Sequence, residues 1–133
     1  MTQGNGSKPG VLVVEDDPSA VEILKMRLEA QNYEVFCARN GHEALKIVET
    51  QPLVLVVLDI MMPGMNGKDV CDVLKHDART HDLPIIMVTA FDDFRTRKEC
   101  ERLGANLFLT KPLNGKLFDH KVQELLANGR EAA

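Results

Sequence analysis

The stretch LVLVVLDIMMPGMNG at residues 53–67 decides the fold. Its first six residues, Leu53–Leu58, are all apolar, as expected for a strand of a parallel sheet that is covered by helices on both faces. A single carboxylate, Asp59, follows the run directly, and Pro63 and Gly64 then predict a turn. The stretch therefore predicts a buried central strand that ends in one acidic side chain.

Short apolar runs rich in β-branched residues recur along the chain and alternate with segments of helical periodicity. The predicted strands are Val11–Val14, Glu34–Ala38, Leu53–Leu58, Pro84–Thr89 and Ala105–Leu109. The apolar stripes predicted for four of the helices are Val21, Leu24 and Leu28; Ala44, Leu45 and Val48; Val70, Val73 and Leu74; and Leu117, Phe118, Val122, Leu125 and Leu126. The helical segment from Asp92 to Leu103 has the thinnest stripe, so we expect it to be held loosely. Repeated strand–helix units predict an α/β fold with a parallel sheet and helices on both faces.

Length and composition are those of one soluble globular domain, predicted over residues 10–128 of the 133, with a flexible lead-in at 1–9 and a tail at 129–133. The net charge of -4 argues against direct contact with nucleic acid or with an anionic membrane. No apolar run approaches the ~18 residues of a transmembrane helix. The cysteines are odd in number and lack CxxC spacing, which indicates reduced thiols and a cytoplasmic protein.

Polar side chains follow four of the predicted strands, where open α/β sheets bind their ligands. Glu15 and Asp16 follow the first strand, Asp59 the third, Thr89 the fourth and Lys111 the fifth. Carboxylates that converge repel one another unless a cation joins them, and Mg²⁺ prefers such oxygen ligands. Sites of phosphoryl transfer commonly combine magnesium, an ammonium group and a hydroxyl, which stabilise the charge of the transferred group. We therefore interpret Asp59 as a nucleophile that accepts a phosphoryl group.

Asp17 belongs to the same acidic run but has a simpler explanation. It directly precedes Pro18, and aspartate followed by proline is typical of a helix N-terminus. We interpret Asp17 as a helix N-cap and not as a metal ligand.

Four segments together resemble the receiver domain of bacterial two-component response regulators. They are VLVVEDDP, LDIMMPGMNG, PIIMVTA and GANLFLTKP, in the family's order and spacing, and the resemblance covers Val11 to Leu126. It implies a flavodoxin-like, doubly wound fold with a five-stranded parallel sheet in the order 2-1-3-4-5.

The resemblance also implies a role for each matching residue of the site. Asp59 matches the phosphoacceptor, Asp16 the direct magnesium ligand, and Glu15 its neighbour that acts through water. The backbone carbonyl of Met61 matches the third protein ligand. Lys111, which precedes a proline of the cis type, matches the lysine that contacts the phosphoryl group.

Two further roles concern signalling. Thr89 matches the switch hydroxyl, and Phe108 stands at the place of the switch aromatic. Met61 and Phe91 match positions that tune the lifetime of the phosphoryl group.

The implied function is a signalling switch that catalyses its own phosphorylation and dephosphorylation, and not a metabolic enzyme. A sensor histidine kinase or a phosphotransfer protein would be the donor. An effector or output domain would respond to the surface of the fourth helix, fifth strand and fifth helix, and a phosphorylation-dependent dimer is left open. The alternatives are an aspartyl-nucleophile phosphatase, a flavin-binding module of the same architecture, and a receiver that no longer takes phosphate.

Overall fold

A computed structural model describes residues 8–90 and 92–132, with side chains up to residue 127. Strands and helices alternate strictly along this part of the chain. They are β1 (Gly10–Val14), α1 (Pro18–Ala30), β2 (Glu34–Ala38), α2 (Gly41–Thr50), β3 (Leu55–Asp59), α3 (Gly67–Lys75), β4 (Ile85–Thr89), α4 (Phe94–Arg102), β5 (Leu107–Thr110) and α5 (Gly115–Ala132). Most of the predicted lead-in lies outside the described residues. Helix α5 continues past residue 128, and the domain boundary at that residue stays a prediction.

The five strands form one parallel sheet in the order 2-1-3-4-5, as the family resemblance implies. The register pairs Val14 of β1 with Leu58 of β3, and Asp59 with Val88 of β4. Because neighbouring strands run in the same direction, their carboxyl ends meet at one edge of the sheet. This arrangement brings the residues after β1, β3, β4 and β5 to one side of the molecule.

Side chains from successive residues of each strand enter two separate cores. Leu12 and Val14 belong to the core that α2, α3 and α4 cover, whereas Val11 and Val13 belong to the core under α1 and α5. Strands β1, β3 and β4 are buried along their whole length. Their position between two helical layers explains why their sequences read as unbroken apolar runs. No helix among the described residues combines the length and the apolar character that crossing a bilayer requires.

Three predicted strands begin too early: the fourth by one residue, since β4 starts at Ile85, and the third and fifth by two residues each. Leu53 and Val54 belong to the connection after α2, where Pro52 has no N–H to donate, and β3 starts at Leu55. Ala105 still donates its N–H to the Cys100 carbonyl at 3.1 Å and thereby closes the end of α4, so β5 starts at Leu107. In both places apolar residues extend beyond the strand into its connection.

Two predicted helix faces are wrong at one residue each. Val73 on α3 is 44% exposed and Leu117 on α5 is 47% exposed, whereas Cys71 is fully buried. Cys71 lies one residue after Val70, so the buried stripe of α3 is rotated away from Val73. The Asp17 prediction is confirmed, because its carboxylate accepts the Ser19 N–H at 3.1 Å at the start of α1.

Helix α4 has few apolar contacts, in line with its thin apolar stripe, and its loose anchoring stays a prediction. Cys100 is its one buried residue, and Phe94 at its start is 75% exposed. An ion pair of 2.8 Å joins Lys68 of α3 to Glu99 of α4. Polar contacts therefore hold this helix where apolar contacts are few.

Candidate functional site

Three carboxylates meet at the carboxyl edge of the sheet. Glu15 follows β1 and Asp59 ends the neighbouring strand β3, and with Asp16 each offers an oxygen within 4.8 Å of the others. Glu15 is 2% exposed and Asp59 is 5% exposed, whereas Asp16 is open to solvent. The structure thus brings together the three acidic residues that the sequence predicts as metal ligands.

Lys111 supplies the positive charge beside these acids. Its Nζ lies 2.7 Å from Glu15 Oε1 and 3.4 Å from Asp59 Oδ2. Its backbone N–H donates to the Thr89 carbonyl at 2.8 Å, which fixes the end of β5 against β4. The Lys111–Pro112 peptide bond is cis, as the resemblance implies.

The charges of the site are incompletely balanced. Burial raises the pKa of Glu15, and the neighbouring Asp59 raises it further, although the hydrogen bond from Lys111 opposes both effects. Burial alone would lower the pKa of Lys111, but its hydrogen bond to Glu15 and the charge of Asp59 outweigh that effect and raise it. One ammonium therefore serves two buried acids while Asp16 adds a third, which favours a further cation at this place.

Thr89 and Phe108 lie on one face of the sheet. Thr89 ends β4 and is fully buried, and it lines a cavity of about 250 Å³ that Met61 also borders. The ring of Phe108 packs against the core under α2, α3 and α4, and Met87, its register partner on β4, belongs to that core. The two predicted switch residues are therefore neighbours in space, on adjacent strands.

Of the two residues predicted to tune the phosphoryl lifetime, the structure describes Met61. Met61 is 57% exposed beside the site, and its backbone N–H donates to Asp59 Oδ1 at 3.1 Å. Phe91 lies outside the described residues. The role assigned to both stays a prediction.

The sequence does not predict three contacts of the site. Lys111 lies closer to Glu15 than to Asp59, the Asp17 N–H donates to Glu15 Oε2 at 3.2 Å, and Arg97 covers the ring of Phe108. Apart from the Asp17 contact, these join residues that are distant in the sequence or lie on a helix whose polar face reads as solvated. The spacing of the residues carries no signal for them.

Gly67 fixes the connection that follows Asp59. A Cβ at this position would lie 2.9 Å from the Asp59 carbonyl carbon and 3.0 Å from the Ile60 Cα, and both belong to the backbone. We expect Gly67→Ala to lower the free energy of unfolding by about 3 kcal/mol, because neither contact can yield without moving the strand end. Urea unfolding of the variant measures this loss.

Gly64 offers the matched control. Its φ of 73° favours glycine, but a Cβ there meets no atom within 4 Å. The cost of Gly64→Ala is then that of the backbone conformation alone, about 1 kcal/mol. Equal losses in the two variants would contradict the steric explanation for Gly67.

Comparison with known proteins places the chain and its fold in one family. The family model of the response regulator receiver domain matches residues 11–123. A probable transcriptional regulator ycf27 from Cyanophora paradoxa is 40% identical over 120 residues, which cover 90% of this chain and 49% of that protein. The chain thus spans about half the length of curated relatives such as this one.

Solved structures agree with that assignment. A CheY-like receiver domain protein from Methanospirillum hungatei superposes with a TM-score of 0.88 at 26% identity and covers 96% of this chain and 100% of its own. The signal receiver domain of a histidine kinase from Syntrophus aciditrophicus gives a TM-score of 0.83 at 32% identity, with coverage of 90% and 91%. The chain belongs to the response regulator receiver domains, the signalling switches of two-component systems. This membership favours the receiver over the phosphatase and flavin alternatives.

Proposed function

We propose that this receiver domain accepts a phosphoryl group on Asp59 from a sensor histidine kinase or a phosphotransfer protein. One observation carries the proposal. Asp59 ends a fully buried strand, with oxygens of Glu15 and Asp16 within 4.8 Å and the Lys111 ammonium at 3.4 Å. A fixed carboxylate among acids and a cation is what a phosphoacceptor requires.

The donor set fits a hard divalent cation. Its atoms are carboxylate oxygens, Lys111 leaves part of their charge unbalanced, and no sulfur or imidazole ligand joins the three acids in the described cluster. Glu15, Asp16, Asp59 and the backbone carbonyl of Met61 would hold Mg²⁺. When bound, Mg²⁺ neutralises charge on the phosphoryl oxygens.

The residues of the chain perform the transfer. A carboxylate oxygen of Asp59 forms a bond to phosphorus while the bond from phosphorus to the donor's nitrogen breaks, and the bonding electrons stay on that nitrogen. Lys111 Nζ contacts the phosphoryl oxygens. Hydrolysis by water later restores Asp59, so the domain promotes both its own phosphorylation and its dephosphorylation.

The new charge biases a conformational equilibrium. Thr89 moves toward the phosphoryl group as a hydrogen-bond donor, and Phe108 follows into the space that opens. The surface formed by α4, β5 and α5 then changes its affinity for an effector, an output domain or a second receiver. The Cyanophora relative is named a transcriptional regulator, which supports an output domain that acts on transcription. The net charge of -4 supports the absence of direct nucleic-acid or membrane contact by this domain. The free cysteines support a cytoplasmic location.

Acetyl phosphate tests the proposal without a cognate kinase. The protein is incubated with acetyl phosphate and MgCl₂, and intact mass is recorded over time, with EDTA as the control. We expect one added phosphoryl group, only with the divalent cation, and peptide mapping after borohydride reduction should place it on Asp59. Labelling that is independent of magnesium, or that maps to another residue, would contradict the proposal.

A further inference from the structure

Arg97 makes an unusual contact with the switch aromatic. Its guanidinium carbon lies 4.5 Å from the centroid of the Phe108 ring, which is within the range of a cation–π interaction. The same guanidinium forms a 2.6 Å ion pair with Asp92, in the connection between β4 and α4. Arg97 therefore links three parts of the switch region: that connection, helix α4 and strand β5.

The packing of α4 makes this contact important. Cys100 is the one buried residue of the helix, so few apolar contacts fix α4 on the sheet. Phe108 is half-buried on β5, an edge strand of which every residue is partly exposed. We call the contacts of Arg97 with Phe108 and Asp92 the clamp. Because apolar contacts between α4 and β5 are few, the clamp contributes a larger share of the free energy that holds these two elements together than it would between buried elements.

The register of β4 and β5 shows that the clamp opposes an inward movement of the Phe108 ring. Thr89 pairs with Thr110 and Met87 with Phe108, which places Thr89 and Phe108 on the same face of the sheet. If the ring turns inward behind Thr89 while α4 keeps its position, the ring loses its 4.5 Å contact with the Arg97 guanidinium. The outward and inward positions of the ring therefore differ by one cation–π contact.

We propose that Arg97 is a positioning residue that holds Phe108 in its unphosphorylated position and so sets the threshold of the switch. This inference rests on the proposed function and adds its regulation. Loss of the clamp raises the population of the phosphorylation-competent state before any phosphoryl group arrives. A partly exposed cation–π contact corresponds to an increase of about two- to five-fold in that population.

Tryptophan fluorescence separates this role from simple packing. The sequence contains no tryptophan, so Phe108→Trp introduces a single probe that also retains the cation–π contact. In this background Arg97→Met should lower quenching by acrylamide, because the freed ring moves inward. If Arg97 only covered the ring, its removal would expose the indole and raise quenching. The measurement needs no phosphodonor, so it judges the clamp even if the proposed phosphorylation fails.

Kinetics provide the second readout, without the tryptophan probe. Arg97→Met should raise the rate of labelling by acetyl phosphate about two- to five-fold. In a Phe108→Leu background the same substitution should have no effect, because its action passes through the ring. Lys98→Met is the matched control, since Lys98 lies 5.4 Å from the ring of Phe94, on α4 itself. An unchanged or higher quenching in Arg97→Met, a rate equal to that of Lys98→Met, or a rate increase that persists with Phe108→Leu would overturn the proposal.

Discussion

Asp59→Asn is expected to take up no phosphoryl group from acetyl phosphate, whereas the parent chain becomes labelled. An amide oxygen is a far weaker nucleophile than a carboxylate and carries no charge to hold a cation. The substitution preserves the shape of the site, because asparagine Oδ1 can still accept the Met61 N–H that Asp59 Oδ1 accepts at 3.1 Å. Intact mass after incubation with MgCl₂ measures the loss.

Asp17→Asn is the control for the acidic character of the region. Asp17 is also an acid near the site, but its carboxylate caps α1 at Ser19, and asparagine is an equally good N-cap. This variant should be labelled like the parent. Labelling of Asp59→Asn at the parent's rate would show that another group accepts the phosphoryl group. Loss of labelling in both variants would show that the effect of Asp59→Asn is not specific to Asp59.

The central strands could be predicted because their burial determines their composition. Leu55, Val56 and Val57 of β3 are buried between two helical layers, and such a position leaves only apolar choices. Burial does not mark where a strand ends, because Leu53 and Ala105 are equally apolar in their connections. Ladder hydrogen bonds set those boundaries, and they depend on a neighbouring strand that is distant in the sequence.

The acidic half of the site could be predicted and the contacts of its cations could not. Glu15, Asp16 and Asp59 each stand at a strand end, and a parallel sheet brings such ends together whatever the details. Lys111 and Arg97 have long side chains with several possible partners within reach. Lys111 contacts Glu15 at 2.7 Å, and the Arg97 guanidinium lies 4.5 Å from the centre of the Phe108 ring. Both partners are determined by packing that exists only in the folded chain.

Lys111→Met is expected to destabilise the metal-free protein by about 2 kcal/mol near pH 7. The substitution keeps an unbranched side chain only one heavy atom shorter but leaves Glu15 and Asp59, both buried, without their cation. Loss of one partner of a buried pair costs about 3–5 kcal/mol, and the 28% exposure of Lys111 reduces that figure. Urea unfolding in the presence of EDTA measures the difference.

The pH dependence of this deficit identifies its cause. The folded-state pKa of Glu15 is raised above its ordinary value of 4.5. Between these two pKa values the folded chain binds more protons than the unfolded chain, so the free energy of unfolding falls as pH rises from 4.5 to the folded-state pKa. At pH values above the folded-state pKa of Glu15, the charged Lys111 offsets this loss. It does so until the pH reaches the pKa of Lys111, which is itself raised above the ordinary 10.5. The variant should therefore match the parent most closely below pH 4.5, where the acid is neutral, and fall behind it above that pH.

Lys68→Met separates this effect from the loss of any lysine ion pair. Lys68 pairs with Glu99 at 2.8 Å, but Glu99 is 44% exposed and water can replace its partner. Its loss should cost no more than about 1 kcal/mol. Because a divalent cation can neutralise Glu15 and Asp59 in place of the ammonium, MgCl₂ should reduce the deficit of Lys111→Met and leave that of Lys68→Met unchanged. Equal deficits in the two variants, or a Lys111→Met deficit that is no smaller below pH 4.5 than near pH 7, would mean that Lys111 acts by packing and not by its charge.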